Sequence, residues 1–256
     1  MAVEAQDAGQ LVKDQRRAVS AFFGTEIPNP PDQLFEVAEI IRQEGLFRVE
    51  PFYLPRRSFP KGITFPGQQV PMSTNLYRYI KEGLVNADAN TLPGQWVILD
   101  VTQRPGYEDG KQMYPDTVQF KELLATGREL GYKRGIVVPD YCRRVPEDSR
   151  FAVSADEIDG SVGYVSKVVA ELLNIEPDRV TTPDYATFYY VGNLSHSEFG
   201  QVNTGEWFRN SFGHGARLVG GDSVLGGLAD VHDWYSDDHY GVMGFRLQVS
   251  FSSETL

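Results

Sequence analysis

Apolar residues recur at helical spacing in three stretches of the chain. Leu34, Val37, Ile40, Ile41 and Leu46 predict a short helix from about Asp32 to Glu44, stopped at Gly45. Val118, Phe120, Leu123, Leu124 and Leu130 predict a second, over 116–130 and ending at Gly131. Val162, Val165, Val168, Val169, Leu172 and Leu173 give a third one apolar face, and Ser154-Ala155-Asp156-Glu157 just upstream has the form of a capped helix start. Short apolar runs at Trp96 to Thr102, Ile136 to Val138 and Thr187 to Val191 read as strands. Asn75 to Glu82 reads as a helical turn, and the Pro-, Arg- and aromatic-rich 47–71 as an extended loop or short strands. After Val191, short β segments alternate with Gly-rich turns.

The same pattern suggests an order of parts. Residues 1–31 form a flexible arm or peripheral helix, ended by Ile27-Pro28-Asn29-Pro30-Pro31, because proline lacks the N–H and clashes with the preceding turn. Residues 32–93 form an N-terminal α+β extension, and the turn Asn90-Thr91-Leu92-Pro93-Gly94 marks the boundary to a second unit over 94–256.

Charge and cysteine usage narrow the function classes. A formal charge of −11 with no basic stripe argues against a phosphate-backbone binder, so nucleic acid is not an expected partner. The one cysteine, Cys142, excludes an intrachain disulfide framework. No apolar run approaches the length of a membrane span, and the N-terminus lacks the basic start and apolar core of a signal peptide, so no membrane insertion and a cytoplasmic or virion location are expected. The sequon Asn193-Leu194-Ser195 is read as accidental.

The last fifty residues carry the functional argument. From Asn203 to Phe251 small or apolar positions suited to a fixed frame (Trp207, Gly220, Gly221, Gly226, Gly227, Phe245, Arg246) alternate with clusters of Asp, His, Tyr, Ser and Gly. Tyrosine offers amphipathic contact area with few rotors to freeze, and Ser, Gly and Asp offer adaptable polar contacts, which is the mixture binding loops use. The last lysine is Lys167, and contact surfaces are poor in lysine.

NTGEWF at Asn203, then ARL-x-GGDS-xx-GGLADV from Ala216, then a short run closing on Gly244-Phe245-Arg246, resembles the variable region of a target protein of a diversity-generating retroelement, and Tyr189 to Trp207 resembles the approach to that region in versions from small-genome bacteria, archaea and their viruses. The resemblance implies a C-type-lectin-type fold of the formylglycine-generating-enzyme-like branch over 94–256, with two helices around irregular antiparallel sheets and long Gly-rich loops. It also implies a variable region at about 205–246, altered by mutagenesis at template adenines. An AAC codon then reaches Tyr, His, Asp, Ser, Gly, Val and Leu but not Trp, Met, Glu, Gln or Lys, which assigns Glu206, Trp207, Trp234 and Met243 to the frame. The implied ligand-contacting set is Asp222, Ser223, Val224, Leu225, Asp230, His232, Asp233, Tyr235, Asp237, Asp238, Tyr240 and Val242, with Trp207, Gly221, Gly227, Phe245 and Arg246 as scaffold. The implied partner is a protein or other macromolecule, with no catalytic residue and no cofactor.

The same residues bear on other chemistry. Asp230, His232, Asp233, Asp237, Asp238 and His239 hold the atoms of a metal site but lack ligand spacing, which favours a solvated polar loop and leaves room only for a weak divalent cation. The alternative function is a metal-dependent enzyme of the same fold branch using this 230–239 cluster. Gly220-Gly221 and Gly226-Gly227 read as tight turns rather than a phosphate loop, Cys142 as idle, His196 as a buried hydrogen-bonding residue, Arg246 as the partner of a buried acid or carbonyl, and Trp234 as either core plug or contact hot spot.

Overall fold

The computed structural model describes residues 8–63, 65, 68–107, 114–132, 146, 148–151 and 153–251. Cys142 and the apolar run Ile136 to Val138 lie outside the described residues. The architecture is mixed α+β, with seven α-helices among the described residues.

Helix α1 (Ala8–Phe23) precedes α2 (Asp32–Gln43), which starts directly after Pro31 and ends before Gly45, whose φ of +61° favours glycine. Next come β1 (Val49–Leu54), β2 (Arg57–Ser58), α3 (Thr74–Lys81), β3 (Thr91–Leu92) and β4 (Gln95–Asp100). Then follow α4 (Val118–Tyr132), α5 (Ala155–Ile158), α6 (Tyr164–Leu173), β5 (Val180–Thr181) and α7 (Tyr185–Leu194). The C-terminal part is β6 (Gly205–Phe212), β7 (Ala216–Gly220), a 3-10 turn Gly227–Ala229, β8 (Val231–Tyr235), β9 (Met243–Gly244) and β10 (Gln248–Phe251). The start of α5 is closed by a reciprocal pair of bonds: the Glu157 N–H donates to Ser154 Oγ, and the Ser154 N–H donates to Glu157 Oε2 at 2.8 Å.

Helix α7 corrects an expectation: Thr187 to Val191 is helical, not a strand. Nine of its ten residues are buried, so it presents no polar stripe, and without a stripe the 3.6-residue period does not show in the sequence.

One sheet has the order β1-β4-β10-β5 and another the order β8-β7-β6-β9, while β2 pairs with β3 alone. Strand β1 runs antiparallel to β4 along its whole length, from Val49 opposite Asp100 to Leu54 opposite Gln95. The segment before Gly94 thus supplies an edge strand to the sheet whose centre is β4 and the C-terminal β10.

Alternate residues of each sheet feed two apolar clusters. Trp96, Ile98, Trp207, Val219 and Val249 join residues of α2, α4, α5 and α6 in one. Val97, Leu99, Phe208, Leu218 and Val231 join residues of α3 and α7 in the other. A strand buried on both faces alternates between two cores instead of between core and water.

Candidate ligand-contact surface

The segment 205–246 leaves and re-enters the fold at one place. At its base β6 and β9 lie side by side in parallel, Gly205 opposite Met243 and Glu206 opposite Gly244. Arg246 Nε donates to Glu206 Oε2 at 2.6 Å, and Nη2 donates to Oε1 of the same carboxylate. Arg246 Nη1 donates to the Asp100 carbonyl at 2.7 Å, and its guanidinium lies 3.9 Å from the centre of the Phe199 ring. On the other side Arg104 Nη1 is 3.2 Å from Glu206 Oε1, and Arg104 Nη2 donates to the Gly221 carbonyl at 2.6 Å. Burial alone pushes the Glu206 carboxyl up, but Arg246 and Arg104 outweigh it and hold the group below the ordinary glutamate range. Both ends of the excursion are thereby locked to one buried carboxylate, and Arg246 has the acid and the carbonyl expected for it.

Trp207 and Phe245 are wholly buried, and Trp207 Nε1 donates to the Val153 carbonyl at 2.9 Å. Gly221 has φ +85°. Gly227 has φ +61°, and a Cβ there would come within 2.7 Å of the Gly200 carbonyl oxygen, so both its conformation and its neighbour require glycine.

Ser223, Val224, Leu225, Tyr235, Asp237 and Tyr240 are exposed, and Asp222, His232, Asp233, Asp238 and Val242 are half-buried. Asp230 is a correction. It is buried, its Oδ2 accepts from the Asp222 N–H at 3.1 Å and its Oδ1 lies 3.2 Å from His232 Nδ1, so it pins the loop from within instead of facing a ligand. Among the described residues seven large apolar or aromatic side chains are exposed, and four of them, Val224, Leu225, Tyr235 and Tyr240, belong to the expected contact set. Scattered apolar exposure is ordinary on a protein surface, so this share is what sets the 222–242 stretch apart.

The set forms two patches beside β8. The 222–225 loop adjoins the Val231 end of the strand and Tyr235 to Tyr240 the other end, about 13 Å away at ~3.3 Å per residue. One protein footprint of roughly 800 Å², about 30 Å across, spans both. The second patch borders a hollow of ≈ 500 Å³ lined in part by Asp233, Trp234, Tyr235 and Asp238, with Phe212 and His214 from the β6–β7 hairpin opposite. Trp234 is half-buried against the first cluster, and its ring lies 5.0 Å from that of Tyr240. Phe212, Gly213 and Ala216 were not foreseen. Their only sequence signal is the Gly-His-Gly tip at 213–215, which ordinary hairpins share.

The Asp/His cluster does not converge. His239 is buried with Nε2 2.6 Å from Glu157 Oε2, while His232 turns to Asp230. Among the described residues no group of three or more His, Cys, Asp or Glu side chains is placed to hold a metal ion. Gly220 closes β7 and Gly226-Gly227 lead into the short 3-10 turn, with no long helix start behind them to receive a phosphate. The Asn193 side chain is buried and engaged, accepting from the Gln69 N–H at 2.7 Å and the Val70 N–H at 3.0 Å, which leaves no room for a glycan.

His196 lies between two carboxylates, Nδ1 2.7 Å from Glu198 Oε1 and Nε2 3.1 Å from Glu50 Oε2. Burial pulls its pKa down, but bonds to Glu50 and Glu198 outweigh this and leave it above the ordinary histidine value. A raised folded pKa contributes stability that is complete below the unfolded value and is lost as pH rises through the folded one. Thermal melts of wild type and His196→Asn should therefore differ most near pH 6 and converge as pH rises; a constant difference would contradict the assignment.

No helix among the described residues is long and apolar enough to cross a membrane. No family model matches the chain, and neither a curated protein nor a solved structure shows significant similarity to it.

Proposed function

We propose that the chain is a ligand-binding protein with a C-type-lectin-type domain of the formylglycine-generating-enzyme-like branch, whose 205–246 region is diversified by retroelement mutagenesis at template adenines. The observation that carries the reading is the separation of roles within that region. Glu206, Trp207, Trp234 and Met243, unreachable from an AAC codon, are buried or half-buried, while eleven of the twelve expected contact residues are exposed or half-buried. A segment closed at its base by the Arg246–Glu206 fork can change its outer side chains without disturbing the core, since surface substitutions usually shift stability by no more than ~0.5 kcal/mol.

The ligand on this reading is a protein. Exposed tyrosines and two apolar residues supply contact area, and the acids select a complementary partner. The DNA beside the gene tests it: a reverse transcriptase gene and a near-copy of the stretch encoding residues 205–246, differing at adenines, are expected. A complete genome with neither would remove the mechanism of variation.

A further inference from the structure

Most buried acids in this fold have a cationic partner. Asp100 and Asp116 share Arg150, Asp159 holds Arg217, and Glu206 holds Arg246 and Arg104. The side chains of Asp233 and Asp238 lie at the rim of the ≈ 500 Å³ hollow in half-buried residues, and among the described residues neither carboxylate accepts a hydrogen bond or forms an ion pair; the Asp238 N–H donates to the Tyr235 carbonyl at 3.2 Å. Among the described residues no lysine or arginine lines that hollow. Arg217, which faces Trp234 across β7 and β8, is turned away to Asp159.

The walls of the hollow are aromatic and fixed. Phe212 packs edge-on against Tyr79 at 4.8 Å, the Gly213 N–H donates to the Leu84 carbonyl at 2.7 Å, and the Ser236 N–H donates to the Gly215 carbonyl at 3.0 Å. The hairpin tip is thus tied both to the chain after α3 and to the end of β8. Trp234 and Tyr235 complete the aromatic lining, and the volume falls in the range of ~300–1,000 Å³ typical of ligand sites.

We propose that this hollow receives an arginine side chain of the protein partner, stacked against the aromatic walls and paired with Asp233 and Asp238. The choice of arginine follows from its chemistry. A guanidinium is weakly hydrated, stacks on aromatic faces and forms forked bonds to carboxylates, whereas an ammonium holds its water more tightly. The inference rests on reading this face as a contact surface, and it names the chemistry of what enters it.

The protein carries its own reporter. Trp96 and Trp207 are 2% and 0% exposed, so Trp234 is the tryptophan that an incoming ligand can reach. Titration of the full chain with the peptide Gly-Gly-Arg-Gly-Gly should give a saturable change in tryptophan emission at millimolar concentrations, and Gly-Gly-Gln-Gly-Gly should give none. Asp233→Asn combined with Asp238→Asn should weaken arginine-peptide binding by about 10-fold or more, with the fold retained because neither carboxylate has an internal partner among the described residues. Asp32→Asn combined with Glu36→Gln removes the same charge from the exposed face of α2 and should leave binding unchanged. A flat titration with the arginine peptide, an equal response to the glutamine peptide, or equal weakening by both double variants would overturn the proposal. Its failure leaves the question of retroelement diversification untouched, since that is read from the gene and not from the hollow.

Discussion

Arg150→Met lowers the free energy of unfolding by about 3–5 kcal/mol, the usual cost of removing one side of a buried ion pair. Arg150 has no exposed surface, and its guanidinium is shared between two carboxylates: Nη1 donates to Asp100 Oδ2, and Nε and Nη2 donate to the two oxygens of Asp116 at 2.8 and 2.6 Å. The ring of Phe120 lies 4.6 Å from its central carbon. Methionine fills much of the space but strands both carboxylates away from water. At ~2–4 °C per kcal/mol for a chain of this size, the midpoint of thermal unfolding falls by roughly 10 °C. Burial raises the pKa of a stranded carboxyl, so the deficit is full above that raised value and is relieved as pH falls through it toward the ordinary aspartate range. A variant within ~1 kcal/mol of wild type at neutral pH would show that the network does not hold the core.

Glu206→Gln should cost a similar ~3–5 kcal/mol, and it separates two accounts of the base of the 205–246 segment. Glu206 serves both Arg246 and Arg104, so neutralising it leaves two buried guanidinium groups without a counter-charge. Arg246→Met leaves Glu206 still facing Arg104 and removes one donor from the Asp100 carbonyl. The glutamate variant should therefore be the less stable of the two in chemical denaturation. The reverse order would mean that Arg246 acts mainly through its packing on Phe199 and its bond to Asp100, with the carboxylate incidental.

What the sequence disclosed and what it hid follow from the range of each interaction. Helix α2 was legible within two residues because Leu34, Val37 and Ile41 are one buried stripe, bounded by Pro31 and Gly45. The Ser154–Glu157 start of α5 was legible because both partners lie within one turn. Arg246 was rightly expected to hold an acid, yet nothing local indicated which one, since Glu206 lies 40 residues away. Arg150 gave no signal at all, its partners being 50 and 34 residues distant and its own neighbourhood polar. Helix α7 was hidden by being buried on all sides, and the pairing of β1 with β4 by the long stretch of chain between Leu54 and Gln95. Most of the exposed positions in 222–242 were legible as composition, but which Asp is buried was not: Asp230 and Asp233 are chemically identical, and the contacts to the Asp222 N–H and His232 Nδ1 distinguish the buried one.

The measurement that bears most directly on the central claim is deep sequencing of the 3′ end of this gene across its natural population. Substitutions should concentrate at the codons for the exposed and half-buried contact residues, be traceable to template adenines, and spare those for Glu206, Trp207, Phe245 and Arg246. A 3′ end that is invariant, or that drifts evenly over frame and surface alike, would contradict the account.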